Sequence, residues 1–379
     1  MKNIIFILVI FLWCCKKDPS SVNPKNELQK ITSDFVFDSG QNHRVNLPVI
    51  FNDKSTTTID PIVSWHWYFD DNSSSNDRNP NHVFLYPGSY KVELIVKDKN
   101  NNTQVCVKSI LISDDSPSVL KGLRKKLYSK SDTVLVCAHR GIHITPNGNM
   151  PENSLTAIRE AISNKVDMLE CDVRRTSDGV LVLMHDATIN RTTNGMGKVS
   201  ELSYGQLKKF RLKKYDSDEL SSDSIPTLNQ ALDLTKDNIF VVLDIDDKAP
   251  VAEVLNVVYQ KNMIDEVLFF TSNQTDVQYL LDKDKRSMPL PSCYSRSTLD
   301  LYIKIYLKPL IFQANNDYSL WPEFKSANCL IYDNVYLLGT SPSGDNWVSL
   351  DADLRNGVNI VQTDYPTEMI NYLKKIKRH

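Results

Sequence analysis

From Thr133 to the C-terminus, short apolar runs alternate with helical patterns, and this alternation restricts the chain more than any other feature. The runs are TVLVCAH (133–139), DMLECDV (167–173), IFVVLDID (239–246), EVLFFTS (266–272), MPLPSCYS (288–295), PLIFQAN (309–315), NVYLLGT (334–340) and NIVQTD (359–364). Their cores are apolar without alternation, as strands buried on both faces require. Between them lie patterns such as NSLTAIREAI, VAEVLNVVYQ and TLDLYIKIYL, with the spacing of amphipathic helices. Eight such units fit a (β/α)8 TIM barrel, with a doubly wound open sheet as the competitor that periodicity alone does not separate.

Parallel α/β sheets deliver chemistry at the carboxyl ends of their strands. Read in order, those ends carry His139 and Arg140, then Glu170 and Asp172, then His185 after the hairpin VLVLMHD, then Asp244 and Asp246. Glu170 and Asp172 are two apart, so on one strand they share a face. Converging carboxylates repel unless a cation lies between them, and an oxygen-only ligand set favours Ca2+ or Mg2+ over zinc. Two histidines beside such an ion supply an acid and a base. Arg140 suits an anion such as phosphate.

The motifs HRG (139–141), PENS (151–154), ECD (170–172), HD (185–186), IPTL (225–228) and QTDYP (362–366) together resemble the glycerophosphodiester phosphodiesterase family. The resemblance covers 133–379 and implies a barrel of the GDPD/PLC-like phosphodiesterase type. It implies metal-dependent hydrolysis of a glycerophosphodiester to glycerol 3-phosphate and an alcohol. His139 and His185 would be the catalytic pair, and Glu170, Asp172 and Asp244 the ligands of one divalent cation. Arg140 and Asp246 would face the phosphate, and Glu152 would lie beside the metal or organise its loop. His143 is read as loop and Asp364 as a turn residue. The family carries glutamate and lysine two apart where this chain has Asp244 and Asp246. The lost cation implies either a different substrate or compensation by another cation such as Arg174 or Lys248. A phosphodiesterase for phosphoinositol or phospholipid diesters, and a barrel that binds phosphate or glycan without turnover, are the alternatives.

Upstream, residues 28–113 show alternating runs such as SYKVELIVKD, in which Val92, Leu94 and Val96 interleave with charged residues, separated by Asn/Ser-rich turns. The stretch WHWYFDDN followed by NPNHVFLYPGSYKVELIVKD resembles the PKD domain, an immunoglobulin-like β-sandwich. Asp70-Asp71-Asn72 replaces its usual aspartate-glycine turn. Trp65, Trp67 and Tyr68 read as core packing, with a glycan-stacking platform or cell-surface contact as the alternative. The domain is expected to act as a spacer. Residues 16–27 and 114–132 read as linkers.

At the N-terminus, the apolar run from Ile4 to Trp13 is too short to span a bilayer and ends at Cys14-Cys15. Residues 1–15 resemble a lipoprotein signal peptide, implying an exported protein anchored to a bacterial membrane through Cys14 or Cys15, with a plain secretory signal as the alternative. The remaining five cysteines, widely spaced and odd in number, form no disulfide framework or zinc pattern. With 44 basic and 46 acidic residues, the charge balance gives no reason to expect a nucleic-acid partner.

Overall fold

The computed structural model describes residues 31–38, 43–45, 47–58, 60–71, 73–84, 87–114, 132–245, 248–284, 286–305, 311–314, 318–326, 329–335 and 347–379. The signal-peptide and linker expectations at 1–27 and 115–131, and Asp246, lie outside them.

The C-terminal domain is built on eight parallel strands: β1 (Leu135–Ala138), β2 (Met168–Arg175), β3 (Phe240–Asp244), β4 (Val267–Phe270), β5 (Met288–Leu290), β6 (Ile311–Gln313), β7 (Leu330–Asn334) and β8 (Ile360–Thr363). They pair in the order β5-β4-β3-β2-β1-β8-β7-β6. The ends meet through a parallel bridge between Ser292 and Gln313, where the Cys293 amide donates to the Gln313 carbonyl at 3.2 Å. The sheet therefore closes into a barrel, and the open-sheet alternative falls. Among the described residues, no helix is long and apolar enough to cross a membrane.

Strand parity sorts the side chains into two layers. Leu135, Cys137, Met168, Phe240, Val242, Leu268, Met288, Leu290, Ile311, Tyr332 and Ile360 fill the barrel interior. The alternate residues, among them Val136, Leu169, Val241, Phe312 and Ile331, pack outward against helical residues such as Ile158, Leu232, Val254 and Leu280. The helices start where caps allow. Ser154 accepts the Ala157 amide ahead of Leu155–Ser163, and Thr227 with Gln230 forms a capping box ahead of Leu228–Thr235.

One strand assignment is corrected. The seventh strand is Leu330–Asn334 rather than NVYLLGT, of which 336–340 lie outside the described residues. The observed strand is interrupted in sequence by Asp333 and Asn334, which hid it. Both are buried, and the Asp333 carboxylate accepts the Asn334 amide at 2.9 Å.

The N-terminal domain is antiparallel. One sheet joins Phe35–Phe37, Pro48–Asp53 and Asn81–Val83; a second joins Ser74–Ser75, Ile62–Tyr68, Gly88–Asp98 and Thr103–Ile112; and Ile31–Thr32 pairs with Thr56–Thr57. Phe35, Phe51, Trp67, Phe69, Val92, Leu94 and Val96 form its core. Trp67 is fully buried, with its indole N–H on the Asp77 carbonyl at 2.9 Å, so packing accounts for it. Tyr68 is exposed. The turn that replaces aspartate-glycine places Asp70 at φ 62°, a conformation aspartate tolerates, and its neighbour Asp71 pairs with His82 at 2.7 Å. Among the described residues, Cys106, Cys137, Cys171, Cys293 and Cys329 form no disulfide.

Candidate active site

The inward-facing residues at the carboxyl ends of the strands line a pocket. From β1 to β3 and the hairpin after β2 come His139, Arg140, Glu170, Asp172, Asp244 and His185. From β4 to β8 come Phe270, Leu290, Gln313, Tyr332, Asn334 and Gln362. Every charge lies on the first arc.

The first turn after β1 is set by close approach to a helix. Arg140 and Gly141 adopt φ of 55° and 78°. A Cβ on Gly141 would lie 2.9 Å from the Ala157 backbone, so only glycine fits there. The turn points the Arg140 amide at Glu170 Oε2, 3.0 Å away, while its guanidinium reaches Glu152 at 2.9 Å and Asp172 at 3.3 Å. Glu152 is buried and also accepts Arg191 at 2.7 and 2.8 Å. Burial opposes its charge, but Arg191 and Arg140 outweigh that and hold its carboxyl below the usual range. Glu152 thus organises the loop. Asn153, at φ 54°, donates to Asp172 Oδ2 at 2.8 Å and accepts the Asp172 amide at 3.1 Å, which locks that carboxylate in place.

Glu170, Asp172 and Asp244 each bring a carboxylate oxygen within 4.8 Å of the others. β2 and β3 pair with Asp172 opposite Asp244, so the cluster follows from sheet register. Burial, reinforced by the neighbouring Asp172 and Asp244, pushes the Glu170 carboxyl well above its ordinary value. Burial works the same way on Asp172, but Lys248 and Arg140 overcome it and keep that carboxyl low. Such crowding, with oxygen donors alone, fits a hard divalent cation. Of the two compensating cations considered, Lys248 enters the cluster. Its ammonium lies 2.6 Å from Asp172 Oδ1 and also pairs with Asp244. Arg174 instead donates to the His185 carbonyl at 2.9 and 2.6 Å, bracing the backbone of that histidine.

Both histidines are held through Nδ1. His139 pairs with Asp364 Oδ1 at 2.6 Å and His185 with Asp186 Oδ1 at 2.7 Å. Arg191, with His185 adding to it, brings the Asp186 carboxyl down to about 2. Asp364 is thus a correction: it is more than a turn residue, because its position two after Gln362 on the inward parity of β8 carries it to His139. Burial opposes its charge, and the His139 hydrogen bond more than restores it. His143, read as loop, is buried behind the pair. Its Nε2 lies 3.6 Å from Asp364, its ring packs 4.4 Å from Tyr215, and burial lowers its pKa. The QTDYP motif held the only sequence signal for Asp364.

The fold and rim define a (β/α)8 barrel in which a three-carboxylate cluster, an arginine paired with Glu152 and Asp172, and two carboxylate-held histidines share one mouth. Residues 139–285 match the model of the Glycerophosphoryl diester phosphodiesterase family, and residues 36–111 match the PKD domain. Through its barrel the chain is similar to that family, with a PKD-domain match ahead of it. Glycerophosphodiester phosphodiesterase 1 of Mus musculus is 38% identical over 128 residues, 32% of this chain and 36% of that protein. Glycerophosphodiester phosphodiesterase of Caldanaerobacter subterraneus is 38% identical over 108 residues, 28% of this chain and 43% of that protein. The chain thus matches less than half the length of these curated relatives. Among solved structures, a glycerophosphoryl diester phosphodiesterase from Parabacteroides distasonis aligns with a TM-score of 0.58 at 22% identity, covering 69% of this chain and 93% of that one. A phosphodiesterase from Oleispira antarctica, in complex with the product sn-glycerol-3-phosphate, aligns at 0.53 and 19% identity, covering 64% of this chain and 97% of that one.

Proposed function

We propose that this protein hydrolyses glycerophosphodiesters to glycerol 3-phosphate and an alcohol with the help of one divalent cation, Ca2+ or Mg2+. The observation that carries the reading is the pairing of two histidines, each fixed through Nδ1 by its own carboxylate, with a three-carboxylate seat at the same mouth. The names of the relatives and the glycerol 3-phosphate held by the Oleispira protein point the same way.

A carboxylate on Nδ1 selects the tautomer that carries its proton there, which leaves Nε2 to exchange a proton with the substrate. One histidine takes the proton from the glycerol 2-hydroxyl as its oxygen bonds to phosphorus. The other gives a proton to the departing alcohol oxygen as the second P–O bond breaks. Water then opens the cyclic phosphate with the proton roles reversed, giving glycerol 3-phosphate. Arg140 would hold the phosphoryl oxygens, and Asn153 keeps Asp172 oriented. Glu170, Asp172 and Asp244 would hold the ion, which when bound supplies charge stabilisation at the phosphoryl group.

Purified protein incubated with glycerophosphocholine and Ca2+ or Mg2+ should release glycerol 3-phosphate, and His139→Ala or His185→Ala should lower kcat by about 10²–10⁴-fold. No metal-dependent product from any headgroup would overturn the reading. Export and lipid anchoring belong to the same proposal, supported by the run ahead of Cys14-Cys15. Labelled fatty acid should enter the wild type and be lost on replacing both cysteines with serine.

A further inference from the structure

The pocket mouth is divided. Among the lining residues the β1–β3 arc carries all the charge, with Asp364 at the end of β8 held against His139, whereas the β4–β8 arc offers Phe270 and Leu290 along with the neutral amides and phenol of Gln313, Asn334, Gln362 and Tyr332. A phosphate with its ion has one natural side on which to sit, and an uncharged polyol has the other.

Within the neutral arc, the amide oxygens are not equivalent. Gln313 Oε1 accepts the Ser292 hydroxyl at 2.9 Å. Gln362 Oε1 accepts the Tyr332 hydroxyl, with the Cys137 thiol also directed at it from 4.0 Å. Asn334 differs: its Oδ1 is buried, and no hydrogen-bond donor reaches it among the described residues. The residue is 4% exposed and sits on the inward parity of β7, one step above Tyr332. Its backbone is paired in register with Gln362, so the strand holds it in place. A buried amide acceptor left unpaired forfeits its solvation without return, a cost a ligand hydroxyl would offset.

We propose that Asn334 fixes the substrate by accepting a hydrogen bond at Oδ1 from the terminal, non-reacting hydroxyl of its glycerol half. The inference rests on the reading of the site as a glycerophosphodiester hydrolase and deepens it. With the phosphate on Arg140 and the 2-hydroxyl left to react, the terminal hydroxyl is the donor that remains. Holding it turns remote binding energy into orientation of the attacking oxygen. Phe270 and Leu290, which line the same pocket, disfavour a second charged group, so an uncharged polyol is the class selected.

The test compares two monophosphates that differ only in that hydroxyl: glycerol 3-phosphate and 2-hydroxypropyl phosphate. Calorimetric titration of the calcium-loaded full-length protein should show the glycerol compound binding at least tenfold tighter. In Asn334→Leu the preference should collapse to within about twofold, with 2-hydroxypropyl phosphate affinity little changed. Asn334→Ser, which removes the amide with less added bulk, should lose the preference as well, and thermal denaturation reports that each variant is folded. A preference that survives both substitutions, or equal binding of the two phosphates by the wild type, overturns the role of Asn334. Failure of the loaded wild type to bind either phosphate overturns instead the reading of the site on which this rests.

Discussion

Lys248 is the residue that answers the altered third strand. Its ammonium lies between Asp172 and Asp244 and neutralises part of a three-carboxylate cluster, the same place a divalent ion would take. Lysine and ion therefore compete for the same oxygens. Lys248→Met should bind Ca2+ several-fold more tightly by calorimetry, while the ion-free protein loses stability, on the order of 3–5 kcal/mol, because buried carboxylates are left unpaired. Added ion should restore the melting temperature. Unchanged ion affinity would show that the ammonium leaves the cluster freely. Asp364 presents a different dependence, since it acts through His139. Asp364→Asn offers an amide where the carboxylate accepted Nδ1–H. It should lower kcat by about 10²–10⁴-fold with little change in KM, and shift the imidazole tautomer seen by nitrogen NMR. A merely structural role for Asp364 would leave that tautomer unmoved.

At the scale of elements, the turn between β1 and the helix Leu155–Ser163 joins fold to chemistry. Gly141 takes φ 78° against the Ala157 backbone, and the residues before it are His139 and Arg140. Gly141→Ala adds both an unfavourable backbone conformation and a 2.9 Å contact that the helix must move to relieve. A cost above about 1 kcal/mol is expected, and at about 2–4 °C per kcal/mol it is readable as a lower melting temperature. Because the same turn aims the Arg140 amide at Glu170, the variant should also bind phosphate more weakly. A stable Gly141→Ala protein with full activity would show that the helix yields without disturbing the turn.

Across the whole molecule, a buried acid also sits at the end of the barrel away from the mouth. Glu266 lies just before β4, at the amino end, buried with Oε2 accepting the Asp237 amide at 2.8 Å. Burial raises its carboxyl to about 7. For an acid whose folded pKa lies above its unfolded one, the protonated form is favoured by folding. Its penalty is thus absent below the ordinary glutamate range, grows as pH rises towards about 7, and is constant above. Glu266→Gln should accordingly melt higher than the wild type at pH 8 and equally at pH 4 in parallel thermal scans. A difference that stays the same at both pH values would assign the effect to packing. The sandwich has its own core around Phe35, Phe51 and Trp67, which shares no member with the barrel clusters.

The sequence by itself determined what depends on local order. Strand and helix alternation, the two-residue spacing of Glu170 and Asp172, the PKD-like run around Trp67, and His139 and His185 in their motifs were legible because periodicity and motif chemistry are properties of neighbours. Tertiary structure alone decided what depends on residues distant in sequence. Among the described residues, barrel closure rests on the bridge between Ser292 and Gln313, and no pattern within either strand encodes it. Asp364 reached His139 across 225 positions only because β8 lies beside β1. The choice of Lys248 over Arg174 needed the path of the chain after β3, and the seventh strand stayed hidden because Asp333 is an acid buried where sequence reasoning expects apolar residues. The unpartnered amide oxygen of Asn334 belongs to the same class, since whether a polar atom has a partner is settled by packing from every side at once.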